Sequence, residues 1–217
     1  FHQAVLSHPS KTRFIINLGG FANITLLEPD TTALGYDTGP ANVLMDAWIN
    51  RHRQQPYDPQ GQWASTGEII PELLADWLRH PFFKIQPPKS TGREDFSLAW
   101  LERQAELSLF APQDIQATLL ELTAVTVSTA VLSHKKNEAE VYCCGGGALN
   151  TQLLKRLTHH LSPYPVQTTD LLGIPPLWVE ATAFAWLGYQ TTHKKTSNLP
   201  SVTGARGKRI LGAIYLA

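Results

Sequence analysis

Hydrophobic and polar positions alternate between two periods along this chain. Arg13–Leu18 (RFIINL) is apolar and β-branched, Gly19 and Gly20 interrupt it, and Phe21–Leu27 (FANITLL) resumes the same character. That pattern predicts two strands joined as a hairpin through paired glycines. A third short strand is expected over Ala33–Tyr36, ending at Asp37. Thr38-Gly39-Pro40 would then open a helix with Pro at its first turn, where no N–H is needed. Val43, Leu44, Ala47 and Trp48 give that helix an apolar stripe. Gln54–Gly67 and Pro81–Lys89 lack a period and carry prolines, so both read as loops. Helices are expected over Glu68–His80, Phe96–Leu109, Asp114–Ser133, Leu149–Leu161 and Pro176–Gln190. Strands are expected over Ala139–Cys144 and Val166–Thr169, and a loop over Asn198–Gly204. The order is three strands, a run of helices, then β-α-β-α. Strands that end in Gly-rich turns and feed helix starts point to an α/β nucleotide-binding fold.

Composition narrows this reading. The chain has 217 residues, enough for one large domain. It carries 18 basic and 18 acidic side chains and no net charge, which argues against nucleic acid or an anionic membrane as the partner. With 43% hydrophobic residues and six Trp, disorder is excluded. No uninterrupted apolar run suggests a membrane span, and the opening FHQAVLSHPSKTR is not expected to be a signal peptide. The start at Phe1 rather than Met predicts a chain cut out of something longer. Cys143 and Cys144 are adjacent, and on a strand they would face opposite sides, so they read as two buried thiols without a disulfide. That fits a reducing cytoplasm.

Three Gly-rich turns carry the candidate chemistry. Asn17, Gly19, Gly20 and Asn23 frame the hairpin, whose backbone N–H groups can approach a phosphate closely or serve only a tight turn. Asp37, Thr38 and Gly39 lie at the expected strand-to-helix junction, where free N–H groups favour an anion. There Asp37 reads either as a helix cap or as a carboxylate holding Mg²⁺ through water. Asn42 and Asp46 share one helix face, and the plain reading of Asp46 is a solvated residue. Gly145, Gly146, Gly147 and Asn150 form the third turn. It is neither a G-x-G-x-x-G fingerprint nor a Walker loop. Lys89 and Arg93, in a Pro-led loop with two hydroxyl residues between them, are an anion-binding candidate or a surface loop in which Arg93 pairs with Glu94 or Asp95. Glu180 either complements a helix dipole or faces a cleft and holds a sugar hydroxyl.

Seven stretches, in this order, resemble the anhydro-N-acetylmuramic acid kinases of bacterial cell-wall recycling. They are INLGGFANIT, GYDTGPANVLMDAW, PPKSTGRE, QATLLELTA, CGGGALN, EATAFAWL and NLPSVTGA. The resemblance implies the two-lobed actin/hexokinase-like ATPase (sugar kinase) fold, a mixed β-sheet flanked by helices. It also implies Mg²⁺-ATP as cofactor and anhydro-N-acetylmuramic acid as substrate. The reaction would open the 1,6-anhydro ring with water and phosphorylate the freed 6-hydroxyl, giving N-acetylmuramic acid 6-phosphate. Asn17–Asn23 and Asp37–Gly39 would lie near the ATP phosphates and Gly145–Asn150 near the adenosine. Glu180, with Lys89 and Arg93, would bind the sugar. A homodimer is also implied. Family members further carry a Gly-Thr-Ser-x-Asp-Gly loop and a Gly-Asp-Phe-Arg segment whose Asp is the general base. Neither is in these residues, and the resemblance starts at Phe1. The chain, residues 1–217, is therefore expected to be the C-terminal lobe as a single domain, without its general base and inactive alone. No metal ligand is assigned from the sequence, and a non-catalytic nucleotide- or sugar-binding module is the alternative.

Overall fold

The computed structural model describes residues 1–134 and 136–215. Five strands form one mixed sheet in the order β3-β2-β1-β4-β5. They are β1 (Arg13–Leu18), β2 (Phe21–Leu27), β3 (Leu34–Pro40), β4 (Glu140–Cys144) and β5 (Val166–Thr168). β1–β2 and β2–β3 are antiparallel, whereas β1–β4 and β4–β5 are parallel. The helices are α1 (His2–Leu6), α2 (Asn42–Arg53), α3 (Pro71–Trp77), α4 (Leu98–Gln104), α5 (Pro112–Leu132), α6 (Thr151–Leu161), α7 (Val179–Thr192) and α8 (Pro200–Thr203).

The period-2 pattern of the strands sorts side chains between two faces. Phe14, Ile16, Leu18, Ile24, Val141 and Cys143 enter the main core with Leu44, Leu119, Val127, Leu153 and Leu157 from α2, α5 and α6. Ile15, Leu27, Tyr142 and Cys144 join a smaller cluster on the other face, with Leu6 and Val179. The two free, buried cysteines thus face opposite sides, as strand geometry requires. Each fully buried Leu, Ile or Phe contributes about 1.5–3 kcal/mol, so the α2/α5/α6 face carries most of the stability.

Helix α5 explains why that face is solid. It is the one helix among the described residues with the length and hydropathy of a membrane span, yet 78% of its most apolar window is buried inside the fold. A helix apolar on all sides is here the centre of a core. Two of its buried polar groups are fasteners, whereas Gln116 and Ser128 are buried without a hydrogen-bond partner among the described residues. Thr123 Oγ1 donates to Pro40 O at 3.1 Å, holding α5 to the end of β3. The Glu121 carboxylate receives Arg156 Nε at 2.6 Å and Nη2 at 2.7 Å, with His160 Nε2 at 2.7 Å, tying α5 to α6.

Several elements depart from the sequence expectation. β3 does not stop at Asp37 but runs through Thr38 and Gly39 to Pro40, and α2 begins only at Asn42. Pro40 therefore closes a strand instead of opening a helix. The cause is a register shift between Ala22 and Asn23 that lets β3 carry an extra residue and keep pairing with β2. The helix expected from Glu68 starts at Pro71, whose fixed φ suits a first helical position. The Phe96–Leu109 stretch resolves into α4, with the Ser97 hydroxyl accepting from Trp100 N–H, and a 3₁₀ turn at Leu107–Leu109. The expected loop at Asn198–Gly204 contains α8, and α1 had no periodic signature.

Candidate functional site

The C-terminal ends of the parallel strands β1 and β4 are neighbours, so the turns that follow them meet. Registry pairs Asn17 with Cys144, Asn17 with Asn23, and Asn23 with Asp37. Asn17, Asn23 and Asp37 thus form one polar row across three strands, on the face away from α5. All three are half-buried.

Beyond this row the hairpin turns at Gly19 and Gly20. Gly19 O accepts from Asn42 N–H at 3.1 Å, and Gly20 O accepts from Ala41 N–H and Val43 N–H, each at 3.0 Å. The first N–H groups of α2 are therefore already satisfied by the hairpin carbonyls. Three amides at the strand-to-helix junction are thus taken, which leaves fewer donors for the anion expected there. Gly19 and Gly20 themselves make no backbone N–H donation within the chain among the described residues. Their own amides are the donors left for an anion.

The third turn uses its glycines differently. Gly145 has φ +80°, and a Cβ there would lie 2.6 Å from Asn17 Oδ1 and 2.9 Å from Leu18 O. A Cβ on Gly147 would lie 2.7 Å from Leu18 Cβ. These two glycines let the turn pack on β1. Gly146 alone is exposed, with nothing nearer its Cβ position than Asn42 Nδ2 at 3.9 Å, so it is the glycine against which a ligand can lie. Asn150 caps α6 by accepting from Leu153 N–H at 3.0 Å. Asn42 Nδ2 donates to Leu18 O at 3.1 Å and links α2 to the end of β1.

Asp37 and Thr38 part company across the strand. Thr38 is buried toward α5, its hydroxyl donating to Ala22 O at 3.2 Å. Asp37 faces the polar row, its Oδ2 accepting Thr91 N–H at 3.0 Å, while its own N–H donates to Lys89 O at 3.0 Å. Burial raises the Asp37 carboxyl above its ordinary range, and the Thr91 bond draws it partway back. Asp37 is thus no helix cap. Gly39, at φ +143°, is held against Phe83, whose ring would meet a Cβ at 2.8 Å.

Lys89 and Arg93 are not brought together. Lys89 Nζ donates to Phe82 O at 3.2 Å and lies over the Phe82 ring, 4.4 Å from its centroid. It lines a 290 Å³ pocket with Tyr36, Thr38 and Thr126 on the α5 side, and burial lowers its pKa. Arg93 is exposed and borders a separate 550 Å³ pocket with Gly20, Phe21 and Asp46. It makes no ion pair with Glu94 or Asp95 among the described residues. The sequence places these two cations four apart, but the loop turns between them to meet Asp37. Glu180 is exposed in the first turn of α7. The 3₁₀ turn Pro176–Trp178 before it is pinned to the glycine turn by Gly145 N–H donating to Pro176 O at 3.0 Å.

A pocket of 350 Å³ opens beside Gly146, between α2 and the start of α6. Met45, Tyr57, Leu149 and Leu177 give it apolar walls, and Asn42, Asp46 and Asn150 give it polar ones. Asp46 borders this pocket and the one holding Arg93, so it is half-buried rather than solvated. Burial first, and then the Asp58 carboxylate, push Asp46 up to about 6. Sequence reasoning passed over Tyr57 and Leu177. The shared face of Asn42 and Asp46 was the signal available. Among the described residues no group of three His, Cys, Asp or Glu could hold a metal ion. A Mg²⁺ here would rely on phosphate oxygens and water, with Asp37 as a nearby carboxylate, as Mg²⁺ sites commonly do.

The sheet and its flanking helices define one fold class, the actin/hexokinase-like fold. The same fold is seen in the activator of the 2-hydroxyisocaproyl-CoA dehydratase from Clostridium difficile, solved with bound ADPNP. That likeness has a TM-score of 0.52 at 15% identity and covers 91% of this chain and 68% of that one. Within that class the chain belongs to the anhydro-N-acetylmuramic acid kinase family, whose profile matches residues 1–217. A relative from Pseudomonas fluorescens is 50% identical over 216 residues, which is 99% of this chain and 60% of the relative. One from Xylella fastidiosa is 48% identical over 100% of this chain and 57% of its own length. A Coxiella burnetii relative is 48% identical, over 99% of this chain and 58% of its own length. The chain thus spans about three fifths of the curated relatives it matches.

Proposed function

We propose that this chain is the nucleotide-binding C-terminal lobe of a two-lobed anhydro-N-acetylmuramic acid kinase. The observation that carries the reading is the convergence, in a chain of that family, of the Gly19–Gly20 hairpin, the Asn17–Asn23–Asp37 row and the Gly146 edge at the ends of β1 and β4. In this reading the free amides of Gly19 and Gly20 receive ATP phosphate oxygens. Asp37 would be the carboxylate on the metal's side, and the adenosine would lie along Gly146. ATP would supply its γ-phosphoryl group and leave as ADP, and Mg²⁺, when bound, would supply the charge neutralisation that this transfer needs. Water opens the 1,6-anhydro ring and the freed 6-hydroxyl takes the phosphoryl group. Glu180, pinned beside the glycine turn, and Arg93, beside the hairpin, are the side chains proposed to meet the sugar. Lys89 supports that role less, since it faces the other side of β3.

The general base and the second phosphate loop are proposed to come from the other lobe. An apolar surface on and beside α7 supports a covering partner there: Leu177, Trp178, Phe184 and Tyr189 are 58%, 64%, 66% and 53% exposed. Cytoplasmic action, consistent with two free thiols, and a homodimeric whole enzyme belong to the same proposal. The test is calorimetric titration of the chain with ATP, with and without Mg²⁺, followed by a turnover assay with the anhydro sugar. Binding that strengthens with Mg²⁺, with turnover at least about 10²-fold below that of the two-lobed enzyme, is expected when the base is absent. Failure to bind ATP overturns the nucleotide reading, and turnover at the rate of the two-lobed enzyme overturns the lobe reading.

A further inference from the structure

We propose that Asp46 reads the ribose of the bound nucleotide, its carboxylate accepting hydrogen bonds from the 2′- and 3′-hydroxyls of ATP seated beside Gly146. This rests on the nucleotide reading above and adds to it a residue and a specificity.

Of the two carboxylates that line the pocket, Asp46 is the one with oxygens to offer. The pocket's 350 Å³ lies within the usual range for small-molecule sites. Its apolar side chains suit a flat heterocycle, and a nucleoside also needs an acceptor for its diol. Asp58 has no free oxygen to offer, since Oδ1 accepts Trp63 N–H and Oδ2 accepts Ala64 N–H, both at 2.9 Å. Asn150 Oδ1 caps α6, and Asn42, whose Nδ2 donates to Leu18 O, has left only a neutral carbonyl oxygen, a weaker acceptor than a carboxylate. Asp46 has neither an ion pair nor an internal hydrogen bond among the described residues, although Arg93 shares its second pocket.

A half-buried carboxylate with no internal partner is costly unless something that donates hydrogen bonds comes to it. A metal cation could also neutralise it, but no three-ligand group stands here among the described residues, which favours a hydroxyl-bearing ligand. Position agrees with this. Asp46 lies one turn along α2 from Asn42, which contacts the Gly-rich turn, so a nucleotide along Gly146 has its sugar within the span of that one helical turn. Acidic residues recognise ribose hydroxyls in other nucleotide folds by the same chemistry.

The experiment compares the affinities of ATP, 2′-deoxy-ATP and 3′-deoxy-ATP for the unaltered chain and for Asp46→Ala and Asp46→Asn, by calorimetry at pH 8. The unaltered chain should bind ATP about tenfold to a hundredfold more tightly than at least one deoxy analogue, the range for a hydrogen bond to a charged group. Asp46→Ala should weaken ATP by a similar factor and bind all three nucleotides alike, and Asp46→Asn should fall between. Comparing nucleotides on the unaltered chain needs no variant to fold. ATP binding without discrimination by the unaltered chain overturns the ribose role and leaves the nucleotide reading standing. Discrimination that persists in Asp46→Ala also overturns it. No ATP binding at all overturns both.

Discussion

The two faces of the sheet differ as a finished surface differs from an open one. On one side, α2, α5 and α6 cover β1, β2 and β4 with a continuous core, and even its charged group, Glu121, is fully partnered. On the other side only a small cluster around Ile15, Tyr142 and Val179 is buried. On α7, Phe184 and Tyr189 point outward, and the Asn17–Asn23–Asp37 row stays half-buried. Stability sits on the first face and the proposed chemistry on the second. The polar row costs little because it is not sealed, and the glycine turns above it are held from the packed side, by Asn42 through α2 and by Asn150 through α6.

The largest effect expected from this contrast is on the packed face. Leu157, fully buried between α6 and the core, should cost about 2–5 kcal/mol as Leu157→Ala, seen as a lower midpoint in urea unfolding. Next is a contrast inside one turn. Gly145→Ala places a Cβ against Asn17 and Leu18 at positive φ and should cost about 2–4 kcal/mol. Gly146→Ala, one residue on, meets open space and should change stability by less than about 1 kcal/mol while weakening ATP binding. Equal destabilisation by the two glycine variants would show that the turn is not divided into a packed and an open part.

The packed face was the more legible in sequence. The apolar, β-branched runs RFIINL and FANITLL, broken by a Gly pair, gave β1 and β2 to the residue, and the opposite facing of Cys143 and Cys144 followed from strand geometry. The junction after β3 was not legible, because a bulge depends on pairing with β2 and leaves no local signature. Pro40 suits a strand end as well as a helix start, and so Thr38–Pro40 were placed on the wrong kind of element and Asp37 beside a helix start that it does not adjoin. The separation of Lys89 from Arg93 arises likewise from the loop's bonds to Asp37 across the fold. Asp46 was read as solvated because a lone carboxylate on an amphipathic helix looks so until the walls supplied by Tyr57 and Leu177 are in place.

A smaller effect links the packed face to pH. Burial alone would raise the Glu121 carboxyl, but the bonds and charges of Arg156 and His160 outweigh it and hold Glu121 below its ordinary value of 4.5. A carboxyl depressed in the folded state contributes stability above its unfolded pKa and loses it as pH falls through the folded one. Arg156→Met removes the main partner of a side chain only 5% exposed. It should cost about 1–3 kcal/mol near pH 7, below the full figure for a buried pair because Arg156 is partly solvated. The gap between variant and parent should narrow as pH drops below 4.5, the ordinary value for this group. Urea midpoints at pH 7 and pH 4 measure it, and a gap that widens on acidification would mean that Glu121 is not the group responsible.

The smallest effect bears most directly on the open face. Phe184 on α7 is 66% exposed, so Phe184→Ser removes little buried area and should move the stability of this chain by no more than about 0.5 kcal/mol. If α7 is covered by the other lobe in the whole kinase, the same change made there should cost about 1–3 kcal/mol, because the ring would then be leaving an apolar contact. The comparison is between two unfolding curves for one substitution, in the chain alone and in the two-lobed enzyme. A penalty already present in the chain alone would mean that the second face is more complete than its exposure indicates. A negligible penalty in both would mean that α7 stays open to solvent in the whole enzyme, and the proposed contact between lobes would have to be sought elsewhere.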